Sequence, residues 1–263
     1  MTVLVHAPYG LSHKESSLIY LFANYLKTIN LDIAQITCNG AFSLCDKDEE
    51  TGWRRTIRSC LGCAHNQKGL AGWSSIQDSD LSKYINADEV TFTRRVINEM
   101  SVEQLKKMTY GGVLVYDLCI ESFRLRTNNI NPDFNNKKHE QLFRRYMLSA
   151  VRMCISVKKL LNVLRPDMSL IASGNDFITR SYVEQSKRMN IKAVLFKMDL
   201  HERCIKVINT QNGEIFTCPL LVNDVTTMRA DVNTWPKELI NMMHDISSFL
   251  DVSDSQISLP LAQ

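Results

Sequence analysis

Two short runs of strand character, Val3 to Ala7 and Asp32 to Thr37, bracket a segment whose apolar residues Leu18, Leu21, Phe22, Tyr25 and Leu26 recur at helical spacing. Together they spell a β-α-β unit. No other feature constrains the fold as strongly, because the second strand has to return parallel to the first through a right-handed crossover. Pro8-Tyr9-Gly10 supplies the turn after the first strand. Ser12, with Glu15 three positions on, reads as a capping box at the helix start.

The rest of the chain continues the alternation. Leu81 to Lys107 reads as mainly helical, and Gly111-Gly112 leads into Val113 to Tyr116, a predicted buried strand. An Asn-rich loop from Asn128 to Asn136 precedes a long helix that stops at Arg165-Pro166, because the residue before proline disfavours the α region. A strand follows over Met168 to Ala172, then Ser173-Gly174-Asn175-Asp176, a helix to about Met189 and a strand over Ala193 to Phe196. Cys204 to Asn209 and Glu214 to Cys218 flank Asn212-Gly213, a hairpin signal, and Trp235-Pro236 opens a last helix, Lys237 to Leu250. The expected class is α/β: a Rossmann-like, doubly wound, mainly parallel sheet. One domain is expected over residues 1–250, with a Ser- and Asp-rich tail or truncated linker over 251–263. There is no G-x-G-x-x-G and no P-loop sequence, so the usual dinucleotide and ATP fingerprints are missing.

With 263 residues, 44% of them hydrophobic and 22% charged, the chain has material for one large core. No apolar run reaches the length of a membrane span. Met1 leads straight into strand-like sequence, with no basic region or small-residue cleavage site, so a reducing cytoplasm is the expected compartment. The net charge of +3 is small, and no aromatic cluster accompanies the basic stretch, which argues against a nucleic-acid partner.

Four of the eight cysteines crowd into C-x6-C-x14-C-x2-C: Cys38, Cys45, Cys60 and Cys63. The segment between them is charged and has no long apolar run, so a metal would supply its missing folding energy. Cys60 and Cys63 can hold one ion from a single tight turn, with Cys38 and Cys45 closing the tetrahedron and His65 as a substitute ligand. Structural Zn2+ is the leading expectation for this insert at about residues 38–69, and an iron–sulfur cluster is the alternative. The plainer reading is four small core thiols, like Cys119, Cys154, Cys204 and Cys218 in their apolar segments.

Charge is uneven as well. Glu121 to Arg165 holds ten Lys or Arg against three acids, and Lys138, Arg145, Arg152 and Lys159 recur every seven residues along one helical face. Such a face is either solvated or a cationic strip for an anionic membrane or a diphosphate-bearing ligand. Ligands of doubly wound sheets collect beyond the carboxyl ends of strands, which singles out His6 to Glu15, Cys38-Asn39-Gly40 and Ser173 to Arg180. Asn175, Asp176 and Thr179 open a helix and either cap it or hold a phosphate or sugar. Glu202, between His201 and Arg203, either bonds a sugar or joins an ion-pair network. His6 is expected in the core or behind the site.

The segments "HAPYGLSHKESSL", "ITCNGAFSLC" and "CLGCAHNQKGL", with the later "RPDMSLIASGND" and "HERC", resemble the N-terminal half of bacterial capsule and surface-polysaccharide biosynthesis proteins similar to GT-B glycosyltransferases. The resemblance spans Thr2 to about Arg203. It implies a cytoplasmic, inner-membrane-peripheral protein that moves a sugar from a nucleotide-sugar to a glycan or lipid-linked acceptor. It also implies His13 as general base with Glu15 orienting or replacing it. The acceptor would be bound by Asn39, Gly40, Gly174, Asn175, Asp176, Arg180 and Glu202. Ser173-Gly174-Asn175-Asp176 departs from the family's usual Asn-Gly-Arg order, and Arg180 is the residue placed to replace that arginine. A GT-B enzyme holds its donor mainly in a second Rossmann-like domain, so either this sequence is a fragment, or the donor domain lies on a partner chain, or the chain is no longer a transferase. The competing class is a non-catalytic, metal-stabilised Rossmann-like module that binds a partner protein.

Overall fold

The computed structural model describes residues 1–8, 14–42, 44–45, 57–74, 77–220, 232 and 235–252. A seven-stranded sheet forms the centre, in the order β3-β2-β1-β6-β7-β8-β9. Its strands are β1 Thr2–His6, β2 Asp32–Thr37, β3 Gln77–Asp80, β6 Met168–Ala172, β7 Lys192–Asp199, β8 Cys204–Asn209 and β9 Ile215–Pro219. β3, β2, β1, β6 and β7 run parallel, while β8 and β9 extend the sheet as antiparallel hairpin strands. The Rossmann-like architecture expected from the sequence is therefore present. β6 is buried along its whole length, as a central parallel strand covered on both faces must be.

Helices cover both faces. On one side α1 (Lys14–Thr28) and α8 (Lys237–Phe249) pack over Val3, Val5, Leu170 and Phe196. On the other, α5 (Val115–Thr127), α6 (Lys137–Leu164) and α7 (Phe177–Arg188) cover Leu4, Ile36, Ile171 and Leu195. α6 forms because Phe143, Tyr146, Ala150, Cys154, Val157 and Leu161 bury one stripe. Asn136 caps its start by accepting from the Lys138 N–H at 3.0 Å, and Arg165, left-handed at φ 43°, ends it before Pro166. Between β3 and α6 lie a 3-10 turn (Leu81–Tyr84), α3 (Ala87–Glu99), α4 (Val102–Lys106) and a small hairpin, β4 Thr109–Tyr110 with β5 Val113–Leu114.

Two expectations are corrected. The segment 38–69 is not an insert after β2. Its second half is α2 (Ile57–Ser74), the crossover helix from β2 to the parallel edge strand β3, so Cys60 and Cys63 lie one turn apart on a helix rather than in a tight turn. Val113 to Tyr116 is not a buried sheet strand either. The left-handed pair Gly111 and Gly112 (φ 56° and 80°) closes the β4–β5 hairpin, and Val115 already begins α5, whose Leu118, Cys119 and Phe123 are buried at helical spacing. Residues 46–56 of the Cys segment and the tail from 253 onward lie outside the described residues.

Candidate functional site

The chain leaves β1 through α1 to β2 on one side and returns, after α6, to β6 on the other side of β1. The strand order reverses there, and a doubly wound sheet opens its ligand crevice at that point, beyond the carboxyl ends. Two separate polar corners occupy this edge, on either side of β1.

The first corner lies beyond β2 and beside α2. Gln67, buried on α2, directs its side-chain N–H to the Pro8 carbonyl and to Cys63 Sγ at 3.4 Å, while its Oε1 accepts from the Cys38 N–H at 3.4 Å. Its own carbonyl accepts from Gln35 Nε2 at 3.1 Å, and Gln35 Oε1 accepts from the Tyr20 hydroxyl. Tyr20, Gln35 and Gln67 are all buried, so this chain of bonds ties α2 to both α1 and β2. Cys45 lies where its carbonyl accepts from Arg126 Nη1 at 3.4 Å. Zn–S bonds of about 2.3 Å would put tetrahedral sulfurs about 3.8 Å apart. Among the described residues, no three insert thiols come within 4.8 Å of one another. The donor set suits Zn2+, but its four sulfurs are not drawn together.

Asn39 and Gly40, left-handed at φ 43° and 74°, turn the chain after β2. The Asn39 amide donates to Asp80 Oδ2 at 2.6 Å, which ties it to the end of β3. With β1 between them, the ends of β2 and β6 are separated by about 10 Å. Asn39 and Gly40 therefore do not join the residues after β6.

The second corner lies between β6, β7, α5 and α7. Ser173 and Gly174, at φ 71° and 84°, lift the chain out of β6. A Cβ at Gly174 would meet Leu195 Cδ2 at 2.8 Å, so the backbone passes close over β7. Asp176 caps α7 by accepting from the Thr179 N–H at 3.0 Å and the Thr179 hydroxyl at 2.9 Å. The Phe177 N–H donates to Ser122 Oγ at 3.0 Å and the Asn175 N–H to Ser173 Oγ at 3.4 Å. The capping role read for Asp176 is thus realised, and these three amides are occupied by protein oxygens. Asn175 Oδ1 accepts from Lys197 Nζ at 3.0 Å. Lys197, on β7, is depressed below the usual lysine range by burial and then by the nearby Arg180 guanidinium. Arg180 Nη1 donates to the Asp117 carbonyl at 3.4 Å.

A cleft of about 470 Å3 runs from here between α5 and α7. Leu114, Leu118, Val183 and Leu195 give it apolar walls, and Arg180, Glu184 and Arg188 line it at one-turn intervals, a stripe of about 12 Å along α7. Arg188 Nη2 donates to the Gly112 carbonyl at 2.6 Å at the far end.

The remaining candidates fall elsewhere. His13, with Ser12, lies outside the described residues, and Glu15 occupies the first turn of α1. His6 is buried and stacks on Tyr182 with ring centroids 4.6 Å apart, a core position. Glu202 lies past β7, where its carboxylate and that of Asp199 hold Lys206 Nζ at 2.6 and 3.1 Å. Asp199, Glu202 and Cys204 also bring three ligand atoms within 4.8 Å, but both carboxylates already hold the Lys206 ammonium. On α6, Arg152 is buried and donates to the Val90 carbonyl at 3.0 Å, and Lys159 pairs with Glu89 at 2.6 Å. Half of the seven-residue cationic stripe is therefore committed to α3.

Lys197 and Gln67 were not singled out from the sequence. The signal for Lys197 was a lysine closing the apolar run Ala193 to Phe196 at its carboxyl end. Gln67 had none, since an isolated glutamine is unremarkable until its helix is placed.

No family model matches the chain, and no curated protein does. Among solved structures, a CDPS from Fluoribacter dumoffii superposes with a TM-score of 0.45 at 8% identity, over 74% of this chain and 89% of that one. Leishmania major tyrosyl-tRNA synthetase in complex with tyrosinol gives 0.39 at 14% identity, over 74% of this chain and 25% of that one.

Proposed function

We propose that this chain is the acceptor-binding half of a glycosyltransferase-like protein of bacterial surface-polysaccharide assembly. It works at the cytoplasmic face of the inner membrane, with a nucleotide-sugar held by a donor domain on a partner chain. The observation that carries the reading is the crevice after β6, where Gly174, Arg180 and Lys197 adjoin an apolar-walled cleft. The sequence resemblance over Thr2 to about Arg203 supplies the reaction class. No described helix is long and apolar enough to cross a membrane, so membrane contact in this reading is peripheral. His13 acts as base toward the acceptor hydroxyl in this reading, as the sequence resemblance implies.

In this reading Cys38, Cys45, Cys60 and Cys63 would hold a structural Zn2+, with an iron–sulfur cluster as the alternative. Metal analysis and the visible spectrum of anaerobically purified protein distinguish the two. Cys60→Ser and Cys63→Ser each lower metal content and melting temperature together. A Cys60→Ser/Cys63→Ser double variant that melts like the unmodified chain sinks the metal assignment. For the transfer reading, the chain is assayed alone and with a donor domain supplied in trans. Sugar transfer that requires both supports the split enzyme, and robust transfer by the chain alone overturns it.

A further inference from the structure

Arg180 lines the cleft beside Gly174, Lys197 bonds to Asn175 in the loop after β6, and among the described residues neither forms an ion pair. Each is held only by a neutral oxygen, the Asp117 carbonyl for Arg180 and the Asn175 amide for Lys197. The carboxylates nearby are engaged elsewhere. Asp176 caps α7, Glu184 faces Lys187 at 3.4 Å, and Asp199 and Glu202 hold Lys206. Asp117 lines the same cleft but makes no ion pair with Arg180. Two adjacent like charges, one of them half-buried, are unfavourable in the empty protein. They leave N–H donors that neutral oxygens cannot use up, since a guanidinium offers five and an ammonium three.

The geometry points to a phosphate site: Arg180 and Lys197 bind the phosphoryl group of a phosphate monoester or diphosphate, whose organic portion lies along the apolar wall of Leu118, Val183 and Leu195. A dianion matches the paired positive charge, and charge-assisted bonds to a guanidinium and an ammonium are the strong kind. The Asn175, Phe177 and Thr179 amides take no part, because Ser173, Ser122 and Asp176 already occupy them. The walls distinguish a phosphorylated organic ligand from the bare ion, which has nothing to bury there. This deepens the acceptor-side reading and rests on it for the ligand's biological role. The chemistry of the site stands on the two cations alone.

The test is a titration of the whole chain at low salt with inorganic phosphate and with a sugar 1-phosphate, followed by calorimetry. It is repeated for Arg180→Gln, Lys197→Met, the double variant, and the exposed control Lys187→Gln. Phosphate binding that is saturable in the unmodified chain and in Lys187→Gln, and weakened on the order of tenfold or more by each site variant, is the expected result. Melting curves add a readout that a structural role would not give: Lys197→Met should melt no lower than the unmodified chain, because it removes a charge disfavoured by burial and then by Arg180. Absence of phosphate binding overturns the site, as does equal binding by the double variant or a lowered melting temperature for Lys197→Met. Sugar phosphate bound more tightly than inorganic phosphate supports the organic ligand. Equal affinity for the two leaves the cationic site standing and removes the acceptor role.

Discussion

His6 closes β1 with both ring nitrogens buried and without a hydrogen-bond partner among the described residues. Burial pushes its pKa down to about 3 from an ordinary 6.5. The unfolded chain therefore takes up this proton as pH falls below 6.5, while the folded chain does not until about 3. Stability is full above that window and lost on acidification through it, by about 1.4 kcal/mol per pH unit. His6→Phe keeps a ring against Tyr182 and should remove this part of the slope; denaturant melts at pH 7.5, 5.5 and 4.5 check it. Parallel slopes for the two proteins would show that His6 titrates in the folded state. At Gly174 the left-handed φ of 84° makes any side chain strained, and Leu195 would have to shift to admit one. Gly174→Ala should destabilise by about 1–2 kcal/mol and weaken phosphate binding, since the loop that carries Asn175 must shift. Neither residue's role was legible beforehand in full. The sequence placed His6 correctly in the core and Gly174 in a turn, but Leu195 is a contact made only once β6 and β7 pair.

Elements whose signal is local were readable. β1, α1, β2, α6, β6, α7 and α8 coincide closely with the spans read from periodicity, caps and proline, because each carries its own apolar stripe or stop signal. The elements misread depend on contacts across the fold. α2 holds Gly62, Gly69 and Gly72 and a weak apolar stripe, so its helical state rests on partners such as Gln35, Tyr20 and Pro8. β3, with the polar sequence Gln-Asp-Ser-Asp, is a strand because β2 offers it an edge. Val115 to Thr127 looked strand-like only over its first apolar residues, before the hairpin glycines set its direction. Gln67→Leu is the test of the α2 account. It removes the Gln67 bonds to the Pro8 carbonyl and the Cys38 N–H, so about 1–3 kcal/mol of stability should go, with hydrogen exchange quickening along Cys60 to Gly69 while α6 stays protected. Unchanged exchange in α2 would mean that Gln67 does not anchor it.

Across the whole molecule, the doubly wound order places a cysteine-bearing crossover helix on one side of β1 and a cationic, apolar-walled cleft on the other. The rule that ligands gather at the carboxyl edge singled out Cys38-Asn39-Gly40 and Ser173 to Arg180 from sequence, yet it could not say which residues meet. Asn39 and Asn175 were both read as substrate-binding candidates; β1 lies between them and Asp80 holds the Asn39 amide. Glu202 was read either as a sugar ligand or as part of an ion-pair network, and it holds Lys206. The central claim is that the ligand enters after β6, at Arg180 and Lys197. Backbone-amide NMR shifts of the isotope-labelled chain during titration with a sugar 1-phosphate test it most directly. The account expects saturable changes concentrated over Ser173 to Arg180, at Lys197 and along Leu114 to Leu118. Changes confined to Cys38 to Gly40 and α2, or spread without saturation over exposed lysines, would contradict it.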